Sequence, residues 1–292
     1  MNVFLPPVYS IQELTPTNNL IRQIGVPATP REGQLANYTG DRVRGHILVS
    51  HGLPELLIVP ARTRIAPGNH QHVLAADLDP EAQMQDLAAA TWLRHPRLQA
   101  RNATPRDQVI AQIASSWVSA FSYREEDLDR GIAGLRKPQL GALHAIHMHW
   151  TVANRTATIV MPTGTGKTDT MLSIMVTRPC ERLFVVVPTD ALRTQLTDKF
   201  LTLGVLKEAG SYVPTENERR NNFQQALLSE SAERPLVCSL EHIPQTVEEV
   251  DDLAQRAQVI VTTSSIAGQC SAEFRSVLLI AFRIYSSTKP IT

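Results

Sequence analysis

The sequence predicts an α/β fold: a parallel sheet covered on both faces, incomplete toward its C-terminal end, preceded by a smaller mixed α/β region. Three observations lead there. From about Gly131 onward, short apolar runs alternate with stretches of helical periodicity. Those runs are apolar throughout rather than at every second residue, as strands buried on both faces require. Before residue 131 the texture differs, with Pro- and Thr-rich stretches, two short apolar runs and two helical patterns. The expected division is a region 1–130 of unassigned role and a domain 131–292, meeting near the acidic, glycine-bearing stretch REEDLDRGIAG.

Taken in order, the first forty residues (LPPVYSIQELTPTNNL, GVPATPREG) read as loop or extended arm, because Pro, Thr and Asn punctuate them. HILVS and ELLIVPA, separated by His51-Gly52-Leu53-Pro54, predict a strand pair. DPEAQMQDLAAATWLRHP predicts a helix capped by Asp79, with Pro80 at its first position and Pro96 just past its end. TPRDQVIAQIASSWVSAF predicts a second, capped by Thr104, with Val109, Ile110, Ile113, Trp117, Val118 and Phe121 at helical spacing. In the following domain the expected strands are Ala157–Met161, Leu183–Val187, Leu236–Leu240 and Gln258–Thr262. The expected helices are Gln139–Val152, Lys167–Thr177, Ala191–Leu203, Asn217–Ser229 and Thr246–Ala257.

Bulk properties narrow the function classes. Of 292 residues, 28 are basic and 28 acidic, so no global field draws the chain onto nucleic acid, although a local basic groove is compatible with that balance. Cys180, Cys238 and Cys270 form no C-x-x-C pair, which argues against a disulfide framework or zinc ribbon and for a reducing, cytoplasmic compartment. The start has no basic n-region before an apolar core, and no apolar run approaches the ~20 residues that span a bilayer, so no membrane is expected.

Chemistry concentrates in TIVMPTGTGKTDTM, residues 158–171. Gly164 and Gly166 let the backbone turn so that successive N–H groups face one anion. Thr163 and Thr165 complete the loop, and the helix opening at Lys167 turns its positive end toward the same phosphates. Lys167 is expected to reach the β- and γ-phosphates of a nucleotide, and the Thr168 hydroxyl to ligate magnesium. ATP with Mg²⁺ is the cofactor this pattern implies. Such a loop opens kinases, transporters and motors alike, so its neighbours decide between them.

Two neighbours do. GLRKPQLGAL places Arg136 and Gln139 at the start of the preceding helix, and LFVVVPTDALRTQ follows as a strand ending in Pro188-Thr189. Together with the loop this trio resembles superfamily-2 helicases of the DEAD/DEAH type, in the branch of type III restriction and UvrB-like helicase subunits. The resemblance covers about residues 131–263 and implies a RecA-like domain of an ATP-dependent DNA helicase or translocase, a hydrolase acting on ATP. It implies that Lys167 and Thr168 serve catalysis and that residues 163–168 hold the nucleotide. It further implies that Gln139 reads the adenine edge and that Thr189 and Gln195 touch the backbone of a DNA strand, with Thr262 and Thr263 in the strand VIVTT as further contacts. Two positions depart from the family's habit: Met161 opens the loop where Gly or Ala is usual, and Pro138 stands where an aromatic residue precedes the Gln.

The family's magnesium carboxylate sits in a D-E-x-H or D-E-x-D quartet on the next apolar strand. Here that run is SVLLIAFRIYSSTKPIT, with Ala281-Phe282-Arg283-Ile284 in the quartet's place and no Asp or Glu after Glu273. A truncated frame with an off-frame tail is therefore expected, together with the absence of the second motor domain and of catalytic competence in this chain alone. His144, His147 and His149 invite a metal reading but lack the Glu or Cys partners of a zinc site, and the acidic runs REEDLDR and VEEVDDLA read as solvated faces or caps. Two other functions stay open: a non-catalytic nucleotide-binding or interaction module, and a P-loop small-molecule kinase, which would need a lid and an acceptor pocket.

Overall fold

The computed structural model describes residues 1–41, 43–127, 129, 132–153, 155–178, 181–207 and 226–270, and the backbone of 283–286. The chain divides into two compact units, Met1–Gln12 with Arg22–Ala103, and Glu13–Ile21 with Thr104–Thr292. The contacts thus separate at 103/104 rather than at the sequence division near 130, and the first strong helix belongs with the second unit.

The first unit is built from strands. β1 (Asn2–Leu5), β2 (Val8–Leu14), β3 (Leu20–Val26), β4 (Thr29–Glu32) and β5 (Gln34–Gly40) replace the loop or arm expected over the first forty residues. Proline punctuates these strands without preventing them: Pro6 and Pro7 separate β1 from β2, and Pro30 sits in β4, an edge strand, where a missing N–H is harmless. Next come β6 (Val43–Val49) and β7 (Leu56–Val59), the expected pair, antiparallel through His46–Ile58, Ile47–Leu57 and Leu48–Leu56. The helix expected over Asp79–Pro96 does not form. After β8 (Val73–Ala75), that stretch holds β9 (Met84–Asp86) and β10 (Thr91–Arg94). β9 pairs in parallel with β1, the Trp92 indole donates to the Pro6 carbonyl, and Leu87 is buried in the core. Sheet pairing and burial of Leu87 outweigh the helix propensity of the three alanines between the strands. Val3, Leu5, Leu48, Leu56, Ile58 and Leu74 form one apolar layer, and Leu57, Val59, Val73 and Ala75, on the opposite face of β7 and β8, form another.

The second unit opens with α1 (Arg106–Ser116). Its N-cap is Pro105 without a side-chain cap bond, so Thr104 is not the cap; the Thr104 carbonyl instead accepts from Arg106. Val109, Ile110, Ile113 and Trp117 are buried as their spacing predicts, whereas Val118 is exposed. α2 (Lys137–Val152), α3 (Lys167–Thr177), β11 (Leu183–Val187), α4 (Asp190–Thr202) and β12 (Val237–Ser239) follow. α5 (Val247–Arg256), β13 (Val259–Thr263), α6 (Ser264–Gln269) and β14 (Arg283–Ser286) complete it. β11 lies between β14 and β13, and β12 flanks β13, each of these pairings parallel. The acidic run at α5 is a capping box: Thr246 accepts from the Glu249 N–H, and Glu249 accepts from that of Thr246.

Two expected elements differ. Ala157–Met161, read as the strand leading into the glycine loop, is not in a strand, and Val160 is 90% exposed. An apolar run becomes a strand only where a neighbouring edge accepts its backbone hydrogen bonds, and none of the described strands pairs with this one. Of the helix expected over 217–229, residues 217–225 lie outside the described residues, and 226–229 are not helical.

Contacts remote in sequence hold the second unit together. Buried Asn19 accepts from the backbone N–H groups of Glu241 and His242 and donates to the His242 carbonyl. Glu13 receives both Arg106, at 3.0 and 2.8 Å, and Arg256, at 3.4 and 3.3 Å. Burial would raise the Glu13 carboxyl, but the hydrogen bonds from Arg106 and Arg256 prevail and hold it below the usual carboxylate range.

Candidate functional site

The glycine loop is shaped by two left-handed residues, Gly164 (φ 81°) and Gly166 (φ 83°). A side chain costs energy at either position through clash with the backbone. Gly166 is the N-cap of α3, and no side chain caps that helix. The first N–H groups of α3 are therefore left without a side-chain acceptor, the arrangement that favours an anion. Lys167 follows at once, exposed, its ammonium donating to the Pro162 carbonyl at 3.0 Å. Thr165 donates to the same carbonyl at 2.7 Å, which closes the loop on itself. The Thr168 hydroxyl makes no hydrogen bond among the described residues and so retains its capacity to bind a cation.

Below the loop lies a network that the sequence did not announce. Gln139 is 3% exposed, and its Oε1 accepts from the Arg136 N–H at 2.7 Å, capping α2. Its Nε2 donates to the Gly166 carbonyl at 3.1 Å and to Asp169 at 3.2 Å. Arg136 donates to the Gly164 carbonyl at 2.9 Å. Gln139 and Arg136 thus grip the loop from α2, and a Cβ built on Gly166 would lie 1.9 Å from the Gln139 nitrogen. Burial pushes the Asp169 carboxyl up, while Lys199, the Gln139 hydrogen bond and Arg136 pull it down; the net shift is upward. Asp169 gave no signal beyond its place after Lys167-Thr168, because its partner is 30 residues away.

The residues read as strand contacts divide. Thr189 is exposed at the N-cap of α4, accepting from the Leu192 N–H at 3.3 Å, and Gln195 is exposed on the same helix, its side chain without a hydrogen bond among the described residues. Thr262 does not join them. It is 0% exposed in β13 and donates to the Leu240 carbonyl, so it is a core residue with no surface to offer a backbone phosphate. Thr263 caps α6 by accepting from Ile266. A strand alternates its faces, and VIVTT alone could not say that neighbouring elements would cover both of them. On α2, His147 bonds Thr177 of α3 at 2.9 Å and His144 stacks on Tyr123. Among the described residues, no group of three or more His, Cys, Asp or Glu could hold a metal.

Comparison with known proteins adds one decisive observation: residues 132–258 match the family described as type III restriction enzyme, res subunit. This segment is a superfamily-2 helicase-type domain. The match takes in Arg136, Gln139, the glycine loop, Thr189 and Gln195, and stops before Thr262. No curated protein matches the chain. Among solved structures, the UvsW helicase from bacteriophage T4 is similar over 59% of this chain and 66% of that one, at 14% identity and a TM-score of 0.21. Of the described residues, no helix of the helicase-type domain or of the rest of the chain is long and apolar enough to cross a membrane.

Proposed function

We propose that the helicase-type domain binds ATP with magnesium and is the nucleotide-binding part of a DNA helicase or translocase, with a second motor domain closing the site. The observation that carries this is the uncapped N-terminus of α3 behind two left-handed glycines, followed directly by Lys167 and Thr168. Nucleotide phosphates would take the free N–H groups, Lys167 would exchange the Pro162 carbonyl for a phosphate oxygen, and the Thr168 hydroxyl would face magnesium. Bound magnesium supplies charge neutralisation for phosphoryl transfer to water. Thr189 and Gln195, exposed on α4, support a contact with the backbone of a DNA strand.

For Gln139 the geometry favours a positioning role over adenine reading, since both ends of its carboxamide are engaged within the protein. β14, beside β11, carries Arg283–Ser286 and thus no carboxylate. In this reading the chain binds ATP more readily than it turns ATP over.

Titration with a fluorescent ATP analogue tests the proposal. One charge-assisted hydrogen bond is worth about 1.5–3 kcal/mol, so Lys167→Ala should weaken binding by about 10- to 100-fold. Phosphate-free adenosine should bind more weakly than ATP to the unaltered chain. Equal affinity of the two proteins would remove the phosphate-loop reading. Competition with GTP separates the roles of Gln139: Gln139→Ala weakens ATP and GTP alike if the residue positions the loop, and ATP selectively if it reads adenine.

A further inference from the structure

The first unit holds a solvent-open cleft of about 570 Å³ that the proposed nucleotide site does not use. The hairpin β5–β6, the end of β7 and the residues directly after β8 line it. Opposed residues in a ladder share a face. Asn37 lies opposite His46, Thr39 opposite Arg44, and His46 in turn opposite Ile58 of β7. On that face Leu48 and Ile58 belong to the core, and Leu35 packs against it. One sheet face is therefore apolar along Leu35, Leu48 and Ile58, and turns polar at Asn37, Thr39, Arg44 and His46.

The side chains of these four residues make no hydrogen bond or ion pair among the described residues; their backbones are engaged in the ladders. Asp77, also in the lining, accepts from the Ala61 N–H through one carboxylate oxygen only. The cavity thus combines the Arg44 guanidinium, the Asp77 carboxylate, the side-chain donors and acceptors of Asn37, Thr39 and His46, and an apolar floor at Ile58 and Ala76. Its size falls within the range of small-molecule sites.

We propose that this cleft binds a nucleoside monophosphate unit. The guanidinium fork of Arg44 matches a phosphate oxyanion, and Thr39 opposite adds a hydroxyl donor. A base presents an apolar face and an edge with both donors and acceptors, which the floor and the set Asn37, His46 and Asp77 complement. A monophosphate lacks the β- and γ-phosphates that Lys167 would hold, so the two sites are chemically separable. The same unit could arrive as a free mononucleotide or within a single strand.

The experiment titrates the full chain with GMP, AMP, guanosine and a short single-stranded oligodeoxynucleotide, by calorimetry. Arg44→Gln should weaken binding of the monophosphates by about 10- to 100-fold, the loss expected for one charge-assisted bond. Thr39→Val, as a second variant, should weaken it less, and Lys167→Ala should leave it unchanged. Arg44 is exposed and unpaired, so circular dichroism of its variant should match the parent. A parallel loss of oligonucleotide binding identifies a strand as the source, and loss confined to the monophosphates identifies a free nucleotide. The proposal is overturned if the parent binds neither ligand class at millimolar concentration, if both cleft variants bind as the parent does, or if Lys167→Ala abolishes binding. Failure of the ATP analogue to bind, with Arg44-dependent monophosphate binding intact, would overturn the ATP reading and leave this one standing.

Discussion

Replacing Gly166 by Ala should cost far more than replacing Gly164 by Ala, although the two have nearly the same backbone angle. Both have φ near 80°, where an L-residue pays about 1–2 kcal/mol. Around Gly164 a Cβ would meet nothing within 4 Å, so that backbone term is the whole cost. At Gly166 the Cβ would sit 1.9 Å from Gln139 Nε2, forcing the carboxamide away from the Gly166 carbonyl and Asp169. Two hydrogen bonds at about 0.5–1.5 kcal/mol each add about 1–3 kcal/mol. Gly164→Ala is thus expected near 1–2 kcal/mol and Gly166→Ala near 2–5 kcal/mol, both as order-of-magnitude values. The decisive assay is a double-mutant cycle by equilibrium urea unfolding, with Gly166→Ala made alone and together with Gln139→Ala. Once the amide is gone, the penalty at Gly166 should fall to that at Gly164, a coupling of about 1–3 kcal/mol. Coupling under about 0.5 kcal/mol, within the additivity expected of independent sites, would refute the grip of Gln139 on the loop.

Other outcomes follow from the same contacts. Asn19→Ala removes the acceptor of the part-buried N–H groups of Glu241 and His242, at about 0.5–1.5 kcal/mol for each hydrogen bond lost, and a thermal melt should register it as a drop of several degrees. No change in the melt would mean that the turn at 15–19 does not tether the unit. Glu13 has a lowered carboxyl, so its contribution is fully present above its unfolded value near 4.5 and is lost as pH falls through the folded one. Glu13→Gln should therefore narrow the stability difference between about pH 6 and pH 3, and an unaltered pH profile would remove the clamp from the account. In steady state the chain alone should hydrolyse ATP well below motor rates. DNA-stimulated turnover on the order of one per second, abolished by Lys167→Ala, would show that catalysis does not need a carboxylate after Glu273.

By itself the sequence determined the elements whose signals are local. Lys167–Thr177 was legible to the residue because glycine, lysine and threonine must stand in that order to start a helix on an anion. β11, β12 and β13 were legible because continuous apolar runs between helical patterns have few alternatives. The tertiary structure decided what depends on a partner remote in the chain. Residues 79–96 have helical composition but became β9 and β10 because β1 and β8 offered edges to them. Ala157–Met161 has strand composition, yet no edge among the described strands receives it. Gln139 could be placed at the loop from its motif, but only the fold turned its amide onto Gly166 and Asp169, and only the fold buried Thr262. The physical reason is the same in each case. Capping and loop geometry are settled within a few residues, whereas strand pairing, burial and side-chain networks are settled by whichever segment the chain brings alongside.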